Sequence, residues 1–195
     1  MGPIEELEQE HELIGRVIGA AGVLAEKLAA GCEVEAQLLL DMVEFLHIFV
    51  GQCHHGKEEQ YMFRLLESRG IPSGGCPLAA LRHEHQSGSG LLEQFSAAVG
   101  EYRRTPVGNL EPLLRALQGL TDLYPGHIWK EDFLLFPMSR KVLSSEDQRT
   151  ISEGFRRIEA EIGPDVHHAF EDLAARIIAA AALVGTGDEH CQTAV

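Results

Sequence analysis

Long segments of this sequence carry apolar residues at three- and four-residue spacing, and each of the first four such segments has a histidine in the middle of its apolar stripe. No segment shows the two-residue alternation of a half-buried strand, so the periodicity predicts an all-α protein. Gly, Pro and Ser punctuation places the four helices at about residues 4–29, 34–68, 78–102 and 110–141. Two more are expected after them. One is entered through Ser144 with Asp147 three residues on, the pattern of a capping box, and the other follows Gly163-Pro164. The expected organisation is an up-down-up-down four-helix bundle over residues 1–142, with a C-terminal helical extension over 143–184 packed on it. A small, polar tail over residues 185–195 is expected to be disordered. Pro125-Gly126 lies inside the fourth helix and predicts a kink just before His127.

On a helical wheel at 100° per residue, His11 shares a face with Ile4, Leu7, Ile14 and Ile18, and His54 with Leu39, Val43, Val50 and Leu65. His85 shares one with Leu78, Leu81, Leu92 and Val99, and His127 with Leu120, Leu123, Leu134 and Met138. Glutamate follows two of these histidines one turn later on the same face: Glu58 after His54 and Glu131 after His127. A carboxylate buried without a partner is costly or takes up a proton, and no Lys or Arg stands centrally on these stripes. Bound metal cations would supply the missing charge.

The chain also repeats itself. His11 precedes His54 by 43 positions and His85 precedes His127 by 42, while Lys57-Glu58-Glu59 matches Lys130-Glu131-Asp132. Counted from the expected helix ends, His11 and His85 lie seven residues after a start, and His54 and His127 lie 14 before an end. In an antiparallel bundle these positions meet at one level. The candidate ligands are therefore His11, His54, Glu58, His85, His127 and Glu131, enough for two ions about 3.5–4 Å apart and bridged by the glutamates. Mixed imidazole and carboxylate donors suit iron, with zinc or manganese as possible substitutes.

Neighbouring residues have plainer readings. His55 and Glu59 form a second HxxxE pair, rotated about 100° onto the face of Gln37, Asp41 and Glu44, and are assigned to the surface or to a layer outside the ligands. Asp132 is an alternative to Glu131 as ligand. His47 lies on the His54 stripe but about 10 Å along the axis, and reads equally as a pocket or a core residue. Tyr61 reads as core packing or a pocket residue, and Tyr124, one turn before His127, as a hydrogen-bond partner for a ligand. Cys53 reads as a small core residue. The ExxH spacing of Glu8 with His11 and of Glu44 with His47 leaves a ferritin-like di-iron site as a minor alternative.

The ordered set H-E-L-I at 11–14, C-H-H-G-K-E-E at 53–59, E-H-Q-S-G at 84–88 and H-I-W-K-E-D-F-L-L-F-P at 127–137 resembles the hemerythrin-like proteins of the HHE cation-binding type. The resemblance covers roughly residues 4–141 and implies a four-helix bundle around a non-haem di-iron centre. It implies binding or sensing of O2, NO or peroxide, with peroxide dismutation, NO reduction, iron storage or delivery, or a structural metal as alternatives. Hemerythrin itself has an HxxxH pair in the third helix, where this chain has Leu81 and then His85. One imidazole fewer leaves an exchangeable position and counts against simple reversible O2 carriage.

The formal charge of −14 repels phosphate backbones and anionic lipid, so neither nucleic acid nor membrane is an expected partner. No apolar run reads as a membrane span and no export signal is recognisable. Cys32, Cys53, Cys76 and Cys191 form no CxxC pair, and a cytoplasmic location is expected. The expected partner is a small ligand, and the sequence leaves the oligomeric state open.

Overall fold

A computed structural model describes residues 2–106, 108–163 and 165–186, and all regular structure among them is helical. Helix α1 spans Pro3–Ala29, α2 Ala36–Ser68, α3 Leu78–Arg104 and α4 residues 111–142. Two further helices, α5 over Ser145–Ile162 and α6 over Val166–Leu183, complete the described chain. The tail expected to be disordered lies, from residue 187 on, outside the described residues.

The helix ends follow from local chemistry. Gly31 and Gly70 adopt φ values of 79° and 93°, which a side chain would strain. Around them the Gly31 and Cys32 N–H groups donate to Leu28 and Lys27, and those of Gly70 and Ile71 to Glu67 and Leu66, closing α1 and α2 with Schellman turns. At the start of α5, Ser144 Oγ accepts from the Asp147 N–H while the Asp147 carboxylate accepts from the Ser144 N–H, the capping box expected there. Arg69 at the end of α2 donates twice to the same carboxylate, at 2.6 and 3.0 Å.

Residues ascending α1 meet residues descending α4: Asp132 contacts His11 and Arg140 contacts Glu8. The α3–α4 pair is likewise antiparallel, with Glu84 on Lys130 and the Tyr124 hydroxyl against Gly88. Along every helix of this group the histidine layer divides the core in two. On one side lies a cluster including Ile14, Phe49, Phe95 and Leu120, and on the other a cluster including Leu7, Phe63, Leu81 and Phe136. Phe170 and Ile177 of α6 belong to the first and Ile151 and Phe155 of α5 to the second, so the C-terminal helices share both cores with α1–α4.

Helix α2, with mean hydropathy 1.2 in its most apolar window, is long and apolar enough by composition to cross a membrane, which corrects the expectation that no run would be. Its centre nevertheless carries buried His54, His55, Lys57 and Glu58. The helices widen to π geometry over Phe45–His54 and Glu58–Met62 in α2 and over Glu131–Leu135 in α4, and such widened turns often mark functional positions. Helix α4 runs unbroken through Pro125, and its departure from α geometry comes later, at Glu131.

Candidate metal centre

Two groups of buried side chains meet in the polar layer. His11, His54, Glu58 and Glu131 each bring a ligand atom within 4.8 Å of the others, and His55, His85 and His127 do the same. The two glutamates face both groups. Glu58 lies 3.7 Å from His54 Nε2 and 3.4 Å from His85 Nε2. Glu131 lies 3.1 Å from His11 Nε2, 3.2 Å from His127 Nε2 and 3.7 Å from His85 Nε2.

The outward nitrogens explain why the inward ones are available. His11 Nδ1 lies 2.7 Å from Asp132, His54 Nδ1 2.8 Å from Glu10, His85 Nδ1 2.6 Å from Glu59 and His127 Nδ1 3.1 Å from Glu84. A carboxylate accepting from Nδ1–H fixes the tautomer and turns the Nε2 lone pair inward, as in metal-bound histidines generally. Lys57 and Lys130 then hold Glu10 and Glu84. The sequence repeat is thus a repeat of chemistry, each half supplying the lysine and outer carboxylates in the same order.

Nε2 of His55, His85 and His127 and all four carboxylate oxygens of Glu58 and Glu131 are buried without a hydrogen-bond partner. Such atoms are rare in folded proteins and cost about 1–3 kcal/mol each. Their convergence fits a cation, and imidazole with carboxylate fits iron. Electrostatics points the same way. Burial alone would lower the pKa of His11 and His85, yet Asp132 and Glu131 raise the first to about 10, and Glu131, Glu58 and Glu59 raise the second to about 11. Burial pushes Glu131 upward, but His11 and His85 outweigh it and hold its pKa well below the usual range. This layer demands positive charge.

The six residues expected as ligands are brought together here, and His55 joins them. His55, assigned to the surface or an outer layer, is buried and stacks on His85, ring centroids 3.9 Å apart and planes at 17°. Burial, then the neighbouring histidines, keeps it neutral. Helix α2 has two neighbours at this level: His54 turns toward His11 on α1 and His55 toward His85 on α3. A single stripe per helix cannot represent that, although the adjacent His54-His55 pair was the available signal. Glu59 does take the expected outer place. Leu81 is fully buried in the second apolar cluster, so the third helix brings one imidazole to the layer and α2 brings two.

Of the alternatives, Glu131 points inward and Asp132 outward onto His11. His47 is exposed and bonded to Gln52, so it is neither a pocket nor a core residue. With Glu44 also exposed and Glu8 paired to Arg140, the ferritin-like arrangement is excluded. Tyr61 packs against Gly154 of α5 and not in the polar layer. Tyr124 is buried 6.2 Å from the His127 ring and 6.4 Å from that of His55, and burial followed by the Glu131 charge raises its pKa. Cys53 is a fully buried free thiol, which burial pushes up to about 12. Lys57, overlooked as a core cation, is fully buried, but its ammonium turns to Glu6, Glu10 and Glu159, leaving Glu58 and Glu131 to another positive charge.

The family model of the hemerythrin HHE cation binding domain matches residues 2–139, all but the last turn of α1–α4 and none of α5 and α6. Uncharacterized proteins of Mycobacterium bovis and of Mycobacterium tuberculosis (strain H37Rv) are each 26% identical over 151 residues, 77% of this chain and 58% of theirs. The chain therefore spans somewhat over half the length of the curated relatives it matches. No solved structure matches it.

Proposed function

The chain belongs to the hemerythrin HHE cation-binding family, and from that premise we propose that it holds two iron ions, bridged by Glu58 and Glu131, and uses them to bind or sense O2, NO or peroxide. One ion would sit between His11 and His54, the other among His55, His85 and His127. The observation that carries this reading is the set of seven buried side-chain nitrogen and oxygen atoms without hydrogen-bond partners. The antiparallel α1–α4 and α3–α4 pairs support the up-down-up-down order.

The two halves of the repeat differ at one place that matters: His55 in α2 corresponds to Ile128 in α4, a half-buried residue packed on the larger apolar cluster. Two imidazoles on one side against three on the other favour an open position on the His11–His54 side. Bound iron would supply there a redox-active Lewis acid able to take a small ligand. The chain's own part is positional. Asp132 and Glu10 orient His11 and His54, Phe136 stacks on His11 at 5.4 Å, and the two apolar clusters shield the layer from water.

Turnover of peroxide or NO is a second reading, favoured by the same open side, since a ligand that can enter can also be released changed. Metal analysis with visible spectra before and after dithionite reduction and readmission of air tests the first. About two irons per chain, with near-ultraviolet bands that bleach and return, are expected. One zinc and a featureless spectrum after iron-supplemented expression would overturn it. Many equivalents of peroxide or NO consumed per chain would select catalysis over stoichiometric binding.

A further inference from the structure

The buried ammonium of Lys57 lies 2.7 Å from Glu6, 2.6 Å from Glu10 and 2.5 Å from Glu159. Glu6 and Glu10 each accept an N–H bond from it, and Glu159 closes an ion pair on it. His167 Nε2 completes the cluster, 2.6 Å from Glu159 and 3.0 Å from the Lys57 ammonium. Glu159 stands on α5 and His167 on α6, both outside the residues the family model matches. Glu10 in turn accepts from His54. A continuous polar line therefore runs from α5 and α6 through Lys57 and Glu10 to a side chain of the metal layer.

The other half of the repeat isolates what is special here. Lys130, Glu84 and His127 reproduce Lys57, Glu10 and His54 at a spacing within one residue, but Lys130 is 36% exposed and Glu84 is its carboxylate partner among the described residues. Only the Lys57 half is closed over by additional helices. Glu10, Cys53, Glu159 and His167 are also close enough to hold a metal, but the Lys57 ammonium already stands among these carboxylates as their cation. Nor is the cluster needed to dock the helices. Phe155 of α5 and Phe170, Ala174 and Ile177 of α6 already bury their apolar faces in the two cores.

We propose that α5 and α6 act as a clamp on the metal centre, in which Glu159, steadied by His167, positions Lys57 on Glu10 and so holds His54 in the orientation its ion requires. The clamp rests on the metal-binding reading above. It makes Glu159 and His167 positioning residues for one of the two ions, the one on the His11–His54 side. By reciprocity, whatever α5 and α6 contribute to holding that ion, the ion contributes to holding α5 and α6.

The test uses the full chain carrying Glu159→Gln, with Glu161→Gln as a control of equal charge change at an exposed position on the same helix. Ferrous iron is titrated in competition with a chromophoric chelator, and hydrogen exchange across residues 145–183 is followed with and without iron. Outer partners of metal-bound histidines are worth about 10–100-fold in affinity. One further step out, Glu159→Gln is expected to weaken one of the two ions by about tenfold, the lower end of that range, with helical content unchanged. Iron should slow exchange in α5 and α6 of the wild type and of Glu161→Gln, and do so less in Glu159→Gln. Should Glu159→Gln not fold, His167→Gln, at a half-buried position, carries the same comparison with a smaller expected loss. A wild type that binds two irons and a variant that binds both equally well would overturn the clamp alone. A wild type that takes up no metal would overturn the clamp and the metal reading together.

Discussion

His55→Leu should change stability in opposite directions with and without metal. In the metal-free chain His55 Nε2 is buried without a partner, and burial keeps the ring neutral, so no ion pair is lost with it. Removing such a group relieves about 1–3 kcal/mol. The lost stack on His85 offsets about 0.5–1.5 kcal/mol of that. Taking the middle of each range, the metal-free variant is expected to be about 1 kcal/mol more stable than the wild type, at about 2–4 °C per kcal/mol for a chain of this size. With metal the sign reverses. Outer partners of ligand histidines are worth about 10–100-fold, so loss of a ligand nitrogen should cost at least the upper end, about 2.8 kcal/mol. Because metal bound to the folded chain adds directly to its apparent stability, the rise in Tm on loading should shrink by the equivalent of that loss. Thermal unfolding followed by circular dichroism, anaerobically, with and without saturating ferrous iron, reads both quantities. Equal destabilisation in the two conditions would refute the reasoning and return His55 to the role of an ordinary core histidine.

Other substitutions probe the surrounding argument. Arg69, then Ser144, hold the Asp147 carboxyl well below its unfolded pKa of about 3.9, so its stabilisation is complete above that pH and lost as pH falls toward the folded value. Asp147→Asn should accordingly lower Tm at pH 7 by an amount that closes below about pH 4, and a pH-independent difference would contradict this. A Cβ on Gly154 would stand 2.1 Å from the Tyr61 ring, so Gly154→Ala should cost about 1–3 kcal/mol in urea denaturation, and a neutral result would mean that Tyr61 swings freely aside. Leu81→His, which would restore the hemerythrin pattern in the third helix, places a polar ring in the second apolar cluster. It should cost about 1–3 kcal/mol and leave the spectral response to O2 unchanged, whereas a stronger response would mean that position 81 does reach the metal layer.

Much of the polar layer was legible because the cues were local. Helical periodicity, glycine stops and the Ser144–Asp147 cap depend on neighbours a few residues away, and the observed helices begin and end within two residues of the expected positions for α1–α4. The matched spacing of His11 with His54 and His85 with His127 brought six buried side chains to one level before any contact was known. The wheel also separated Glu58 from Glu59, whose carboxylate lies 2.6 Å from His85 Nδ1 on the outer side.

Tertiary packing decided the rest, because a wheel shows which way a residue points but not what waits there. Helix α2 has α1 on one side and α3 on the other, so His54 and His55 enter different groups although they are adjacent in sequence. Lys57 has Glu159 of α5 and His167 of α6 beside it only because those helices pack there, which no wheel of α2 shows. Glu131 was the expected ligand and Asp132 its alternative, and α1 places Asp132 at His11 Nδ1 and Glu131 at its Nε2. Residues a few positions apart settle the helices, the level of the polar layer and the kinds of donor atom in it. Which side chain faces which neighbour depends on contacts between residues more than a hundred positions apart, such as His11 with Asp132, and only the folded chain brings those together.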